Sequence, residues 1–211
     1  MSRFFLLPGS DGDVGVWQDV CRELLREGHE AIPVSLAAPG KPVTPGLAAQ
    51  MALVENSMKL FAKPPLRTVL VGYGYSGLVA GGVARGYNPP GSLIYVDAIV
   101  PEVTISVRRE EILSDLAITL LGPGSGPRLA APEPAVPTAY ILCTGRPQKP
   151  VYRPVDLSAD HARRRRWLWG ELRAGHRPMT EQPKKLTSLL VELAQELEIR
   201  GPGPAPGGTL R

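Results

Sequence analysis

Two glycine-rich turns and one histidine loop carry most of the side chains that could do chemistry in this 211-residue chain. The first turn, Leu7-Pro8-Gly9-Ser10-Asp11-Gly12-Asp13, holds a hydroxyl and two carboxylates. The second, Gly72-Tyr73-Gly74-Tyr75-Ser76-Gly77, holds two phenols and a hydroxyl. The loop Leu172–Met179 holds His176. An imidazole moves protons near neutral pH. A hydroxyl or thiol attacks a carbonyl carbon when a base lies within reach, which makes Ser10, Ser76 and Cys143 the nucleophile types to weigh. Backbone amides of a tight turn can hold an oxygen that is becoming negative. Carboxylates able to orient a base follow an apolar run at Asp97 and Glu102, and Asp11 or Asp13 could do the same from the first turn, where Asp is also an ordinary turn residue. That turn lacks both the Walker and the dinucleotide-binding spacing, so it is no phosphate cradle.

The elements that must position these groups alternate. Phe4–Leu7 is a short apolar run that stops at Pro8-Gly9, as a buried strand does. Val16–Glu27 carries apolar residues at helical spacing and ends at Gly28, with His29 beyond it exposed. Ala31–Leu36 has the composition of a second strand, and Gly46–Leu60 has that of a helix. Thr68–Gly72 is the clearest strand, and a small-residue helix, Leu78–Ala84, follows it. Ser92–Asp97 and Thr138–Cys143 are further strands. Leu186, Leu189, Leu190, Leu193 and Leu197 share one face of a last helix over 183–198. Such alternation specifies an α/β domain with a mostly parallel sheet and helices on its flanks. Ligands in these sheets sit past the carboxyl ends of the strands. All three chemistry-bearing segments lie there.

The strand–turn–helix at residues 68–84 resembles the nucleophile elbow of the α/β-hydrolase fold, G-x-S-x-G, with Gly74 at the nucleophile position. Leu7-Pro8-Gly9-Ser10 is similar to the family loop that supplies an oxyanion-hole amide. Val96–Glu102 is similar to the segment leading into the cap. Leu172–Met179 is similar to the loop with the catalytic histidine. Together these pieces resemble the small esterase and hydroxynitrile-lyase-like branch over most of residues 3–198. The resemblance implies a single hydrolase-like domain over 1–199, a cap reduced to about 103–137, and a disordered Gly/Pro-rich tail over 200–211. It implies His176 as the proton-transfer residue, Ser10, Tyr73, Gly74 and Tyr75 around the oxyanion and pocket, and an acid absent from the position after Cys143. There Gly145-Arg146-Pro147-Gln148 stands instead, which leaves Asp97 or Glu102 to supply the carboxylate. Glycine cannot form an acyl-enzyme, so ordinary serine ester hydrolysis is not expected. Three readings remain open. One is acyl transfer, or a lyase- or cyclase-type step, run by His176 without a serine. Another is a non-catalytic protein that binds a ligand or a partner. The third is a displaced nucleophile such as Ser76, although Ser76 would enter the first turn of the helix and point away from the reacting carbonyl.

Net charge is +4, from 24 basic and 20 acidic residues, too small a bias to imply nucleic acid. Arg163-Arg164-Arg165-Arg166, followed by Trp167 and Trp169, has the pattern of a solvated helix face that includes His161. The alternative is a docking patch for an acidic carrier protein. A helix over Val107–Leu121 with exposed apolar residues would suit a second copy of the chain, so a homodimer is one expectation. No apolar run reaches the ~18 residues of a membrane span, no signal-peptide pattern opens the chain, and Cys21 and Cys143 form no disulfide framework. A cytoplasmic protein with free thiols, no cofactor and no metal is expected, acting on a small or carrier-bound substrate. The Ala-, Arg-, Gly- and Pro-rich composition resembles that of high-GC bacterial proteins, among which hydrolase-like proteins of this kind serve secondary metabolism.

Overall fold

The computed structural model describes residues 1–37, 46–61, 64–102 and 136–201. The expected helix over 107–121, nearly all of the expected cap and the tail beyond residue 201 lie outside the described residues. Six strands form one sheet: β1 (Ser2–Leu7), β2 (Glu30–Pro33), β3 (Arg67–Tyr73), β4 (Ser92–Val96), β5 (Thr138–Cys143) and β6 (Leu168–Leu172). Their order is β2-β1-β3-β4-β5-β6, and all five pairings are parallel. The helices are α1 (Gln18–Arg26), α2 (Leu47–Phe61), α3 (Ser76–Ala84), α4 (Arg153–Arg164), the single turn α5 (Pro178–Glu181) and α6 (Pro183–Arg200). α6 thus runs two residues beyond its expected end.

Successive side chains of a strand point to opposite faces, and helices cover both faces of this sheet. Phe4, Leu6, Val69, Val71, Ile94 and Ile141 share one core with α1 and with the Leu186, Leu190, Leu193 and Leu197 stripe of α6. Phe5, Leu7, Leu70, Leu93, Tyr95 and Tyr140 share the other with α2, α3 and α4. Each central strand is therefore apolar throughout rather than alternating, which is why β1 and β3 stand out in the sequence.

Two elements depart from expectation. β2 stops at Pro33 rather than Leu36: the Val34 amide still donates to Leu6 O at 3.0 Å, and the chain leaves the sheet beyond it. The Arg/Trp segment is not one helix face. It is the end of α4 followed by β6, pinned by aromatic packing across the sheet: Trp167 stacks on Tyr95 at 5.5 Å and Trp169 on Tyr140 at 5.7 Å. His29 is also not exposed. Its Nδ1 accepts the Ser2 amide at 3.1 Å, and its ring packs edge-on against Phe4 at 5.5 Å.

α3 follows β3 after only two residues, and this tight turn needs close backbone approach. A Cβ at Gly77 would lie 2.3 Å from the Ile99 carbonyl oxygen. Gly77→Ala should therefore destabilise the protein by about 3 kcal/mol or more, read as a drop in the urea midpoint.

Burial pushes the His29 imidazole below its ordinary value, and the nearby N-terminal ammonium acts in the same direction. The unfolded chain takes up that proton below about pH 6.5, whereas the folded chain does so only at lower pH. The His29 contribution to stability is therefore whole above about pH 6.5 and declines as the pH falls through and below it. Thermal melts between pH 5 and 8 should show this decline, and His29→Gln should flatten it.

Candidate active site

Five strand ends converge on one region. Past β1 runs the turn Gly9–Asp13, past β3 Gly74, past β4 Asp97, past β5 Thr144–Arg146, and past β6 the loop to His176. Backbone hydrogen bonds tie these ends together beyond the sheet ladder. Gly74 N–H donates to Val96 O at 3.3 Å, Asp97 N–H to Ile141 O at 2.8 Å, and Gly145 N–H to Ala174 O at 2.9 Å. Ile99 N–H donates to Gly74 O at 2.9 Å. The Trp17 indole donates to Leu7 O at 3.0 Å and fixes the start of the first turn.

Asp97 is the centre of the arrangement. Its side chain is fully buried, and its backbone takes a φ of +43° that turns the carboxylate across the strand ends. Oδ2 lies 2.6 Å from His176 Nδ1. Oδ1 accepts from the Cys143 amide at 3.2 Å and from Arg146 Nε at 3.1 Å. With Nδ1 facing a carboxylate, the imidazole carries its proton there and leaves Nε2 as the free acceptor. Nε2 points at Gly74: a Cβ built on that residue would sit 3.4 Å from it. Gly74 has a φ of +55°, in the left-handed region where glycine is least strained.

His176 is held by rings on two sides. Tyr73, which is buried, lies at 5.1 Å between centroids, and Tyr152 lies at 5.1 Å on another side. Burial raises the Tyr73 phenol well above its ordinary value, so it stays protonated. Tyr73 in turn meets Trp17 edge-on. The Tyr75 hydroxyl donates to Gln50 Oε1 at 3.1 Å, which anchors the elbow to α2, and burial pushes this phenol up to about 12.

Of the other expected residues, Glu102 and Ser76 are engaged by other partners, whereas Ser10 stays in the turn that borders the site. Glu102 pairs with Arg85, so it does not reach the imidazole. The Ser76 hydroxyl is buried in the elbow, donating to Tyr73 O and accepting from Tyr73 N–H, both at 3.0 Å. It caps the turn rather than facing the pocket. Cys143 is buried, and desolvation raises its thiol, which keeps it protonated and unreactive. Ser10 is exposed in the first turn. Asp13 caps the short helical turn Val14–Trp17. Asp11 pairs with Arg177 at 3.0 Å, linking the first turn to the histidine loop. Arg163–Arg166 end α4 and precede the amino end of β6, at the opposite end of the sheet from His176. Arg163 lies 4.4 Å above the Trp169 ring and pairs with Glu171.

Arg146 and Tyr152 were not among the expected residues. A lone arginine after a strand and a tyrosine in a Pro-flanked turn carry no local signal. Only the fold brings them beside the imidazole.

No protein-family model matches the chain, and none of the curated proteins does. Solved structures do. Polyneuridine aldehyde esterase superposes with a TM-score of 0.66 at 15% identity, covering 92% of this chain and 100% of that one. An extracellular α/β-hydrolase from a Paenibacillus species gives 0.62 at 17% identity, covering 92% and 99%. A histidine-to-alanine variant of tomato methylketone synthase I, complexed with β-ketoheptanoate, gives 0.69 at 11% identity, covering 93% and 98%. The six-stranded parallel sheet with its flanking helices is an α/β-hydrolase fold. Among the described residues, no helix is long and apolar enough to cross a membrane.

A hydroxyl carried on the Cβ position of residue 74 would come within hydrogen-bonding reach of His176 Nε2. Gly74→Ser should therefore raise p-nitrophenyl acetate hydrolysis on the order of 10²-fold above the parent chain. Adding His176→Ala should remove the gain.

Proposed function

We propose that this chain is an α/β-hydrolase-fold enzyme that works by proton transfer from the His176–Asp97 dyad, without a covalent acyl-enzyme, in a lyase-type step on a β-keto acid. One observation carries the reading: an imidazole held by a buried carboxylate at 2.6 Å presents its free nitrogen to a glycine. A dyad so placed can give or take a proton from a bound substrate, and Gly74, standing where the family carries its nucleophile, offers no side chain to attack it.

The substrate class follows from what such a site can still do. A β-keto carboxylate needs no nucleophile. Its bond from Cα to the carboxylate breaks, CO2 leaves, and the electron pair moves onto the ketone oxygen as an enolate. The amides of Ser10 and Tyr75 are the donors assigned to that oxygen. His176 Nε2, which takes up the substrate's carboxyl proton as that bond breaks, then delivers the same proton to Cα, and the product is a ketone. The fold neighbour from tomato is a methylketone synthase seen with a β-keto acid and with 2-tridecanone, which supports this class. The Tyr73 and Tyr152 rings give the imidazole an aromatic frame in which its face cannot turn freely.

The test uses the full chain with β-ketoheptanoate and measures 2-hexanone release above the spontaneous rate. Turnover that falls at least 10²-fold in His176→Ala is expected. Turnover unchanged by that substitution overturns the reading. Saturable binding of β-ketoheptanoate with no turnover also overturns it, in favour of a ligand-binding protein of the same fold.

A further inference from the structure

Arg146 stands in the turn directly after β5, the strand end where the family resemblance leads one to expect an acid. In this chain the acid lies one strand over, at the end of β4, and a cation fills the place beside it. The guanidinium is nearly closed off from solvent, with 8% of its side chain exposed. Its Nε donates to Asp97 Oδ1 at 3.1 Å, and its Nη2 to Asp156 on the first turn of α4. Its carbon Cζ lies 5.3 Å from the centre of the Tyr152 ring, which itself packs on His176. One side chain thus contacts both the carboxylate and one of the rings that hold the imidazole.

We propose that Arg146 is a positioning residue for the dyad: it holds Asp97 with Oδ2 toward His176 and draws part of the carboxylate's charge away from the imidazole. The proposal rests on the reading of His176 and Asp97 as the working dyad. A buried carboxylate with only an imidazole for company favours the imidazolium strongly. A guanidinium on its other oxygen opposes that bias. Among the described residues, the remaining titratable and charged groups around the pair are Tyr73 from the elbow, Tyr152 from the turn before α4, Cys143 at the end of β5, Asp156 on α4, Glu181 on α5, and the Asp11–Arg177 pair between the flanking loops. Among the described residues, Arg146 is the cation that Asp97 bonds directly apart from the imidazole.

The experiment is a side-chain NMR titration of the histidines in the full chain, with the His176 signal identified by its loss in His176→Gln. Three variants are compared with the parent. Asp97→Asn should lower the His176 midpoint, since the imidazolium loses its counter-charge. If it does not, the dyad itself is refuted. Given that shift, Arg146→Gln, which keeps a donor but removes the charge, should raise the midpoint by about one pH unit, or about tenfold in proton affinity. Arg146→Lys, which keeps the charge, should stay within about 0.3 of a unit of the parent. An unmoved midpoint in Arg146→Gln overturns the proposal, and so does an equal rise in both arginine variants, which would mark displacement rather than charge. Should Arg146→Gln fail to fold, the exposed Asp156→Asn decides. Leaving the guanidinium to Asp97 alone should lower the midpoint, and an unmoved midpoint overturns the proposal.

Discussion

A carboxylate with no exposure to water needs donors on both of its oxygens, because leaving a buried charge uncompensated costs several kcal/mol. Asp97, at the end of β4, meets that requirement with an imidazole from the loop after β6 and with a backbone amide and a guanidinium from the end of β5. The demand runs both ways. β4, β5 and the loop after β6 must be in register for the three donors to meet, and once they meet, the carboxylate resists any slip between those strands. The parallel sheet and the site are in this sense one structure.

The sheet makes that meeting possible. Parallel pairing brings every strand to the same edge with the same polarity, so the five turns past β1, β3, β4, β5 and β6 open on one side. The helices that return the chain bury both faces, which is why the side chains near the strand ends are apolar or aromatic. Trp17, Tyr73 and Tyr152 form a chain of rings around the imidazole. They restrict its rotation by packing, while Asp97 fixes its tautomer by hydrogen bonding. Two independent constraints on one side chain are the mark of a preorganised group.

The residue in front of that group is a glycine, which offers no side chain to attack a substrate. The elbow keeps its tight geometry, enforced by the close contact of Gly77 with Ile99 and by the Ser76 hydroxyl bridging the Tyr73 backbone. The dyad remains aligned on the elbow residue. The proposed reaction, in which a bond in the substrate breaks by its own electron flow and a proton is delivered at the end, needs no such side chain.

The sequence by itself determined the α/β pattern, the strand–turn–helix around Gly74 and the candidacy of His176, because each is a local signal: an apolar run, a glycine-spaced turn, a loop before an amphipathic helix. It put Asp97 and Glu102 forward as the acid, with Asp11 and Asp13 as further candidates, but could not choose among them. Asp97 and Glu102 are five positions apart, and only the folded chain shows that one turns onto His176 while the other pairs with Arg85. β6 was hidden because its strand character comes from Trp167 and Trp169 stacking on tyrosines of β4 and β5, a contact between distant segments. His29 reads as a residue beyond a helix end, yet it is buried because Ser2, at the start of the chain, lies beside it. Arg146 and Tyr152 were invisible for the same reason. A side chain's role in a site depends on what surrounds it, and in a parallel sheet those neighbours come from strand ends tens of residues apart, so tertiary structure alone decided them.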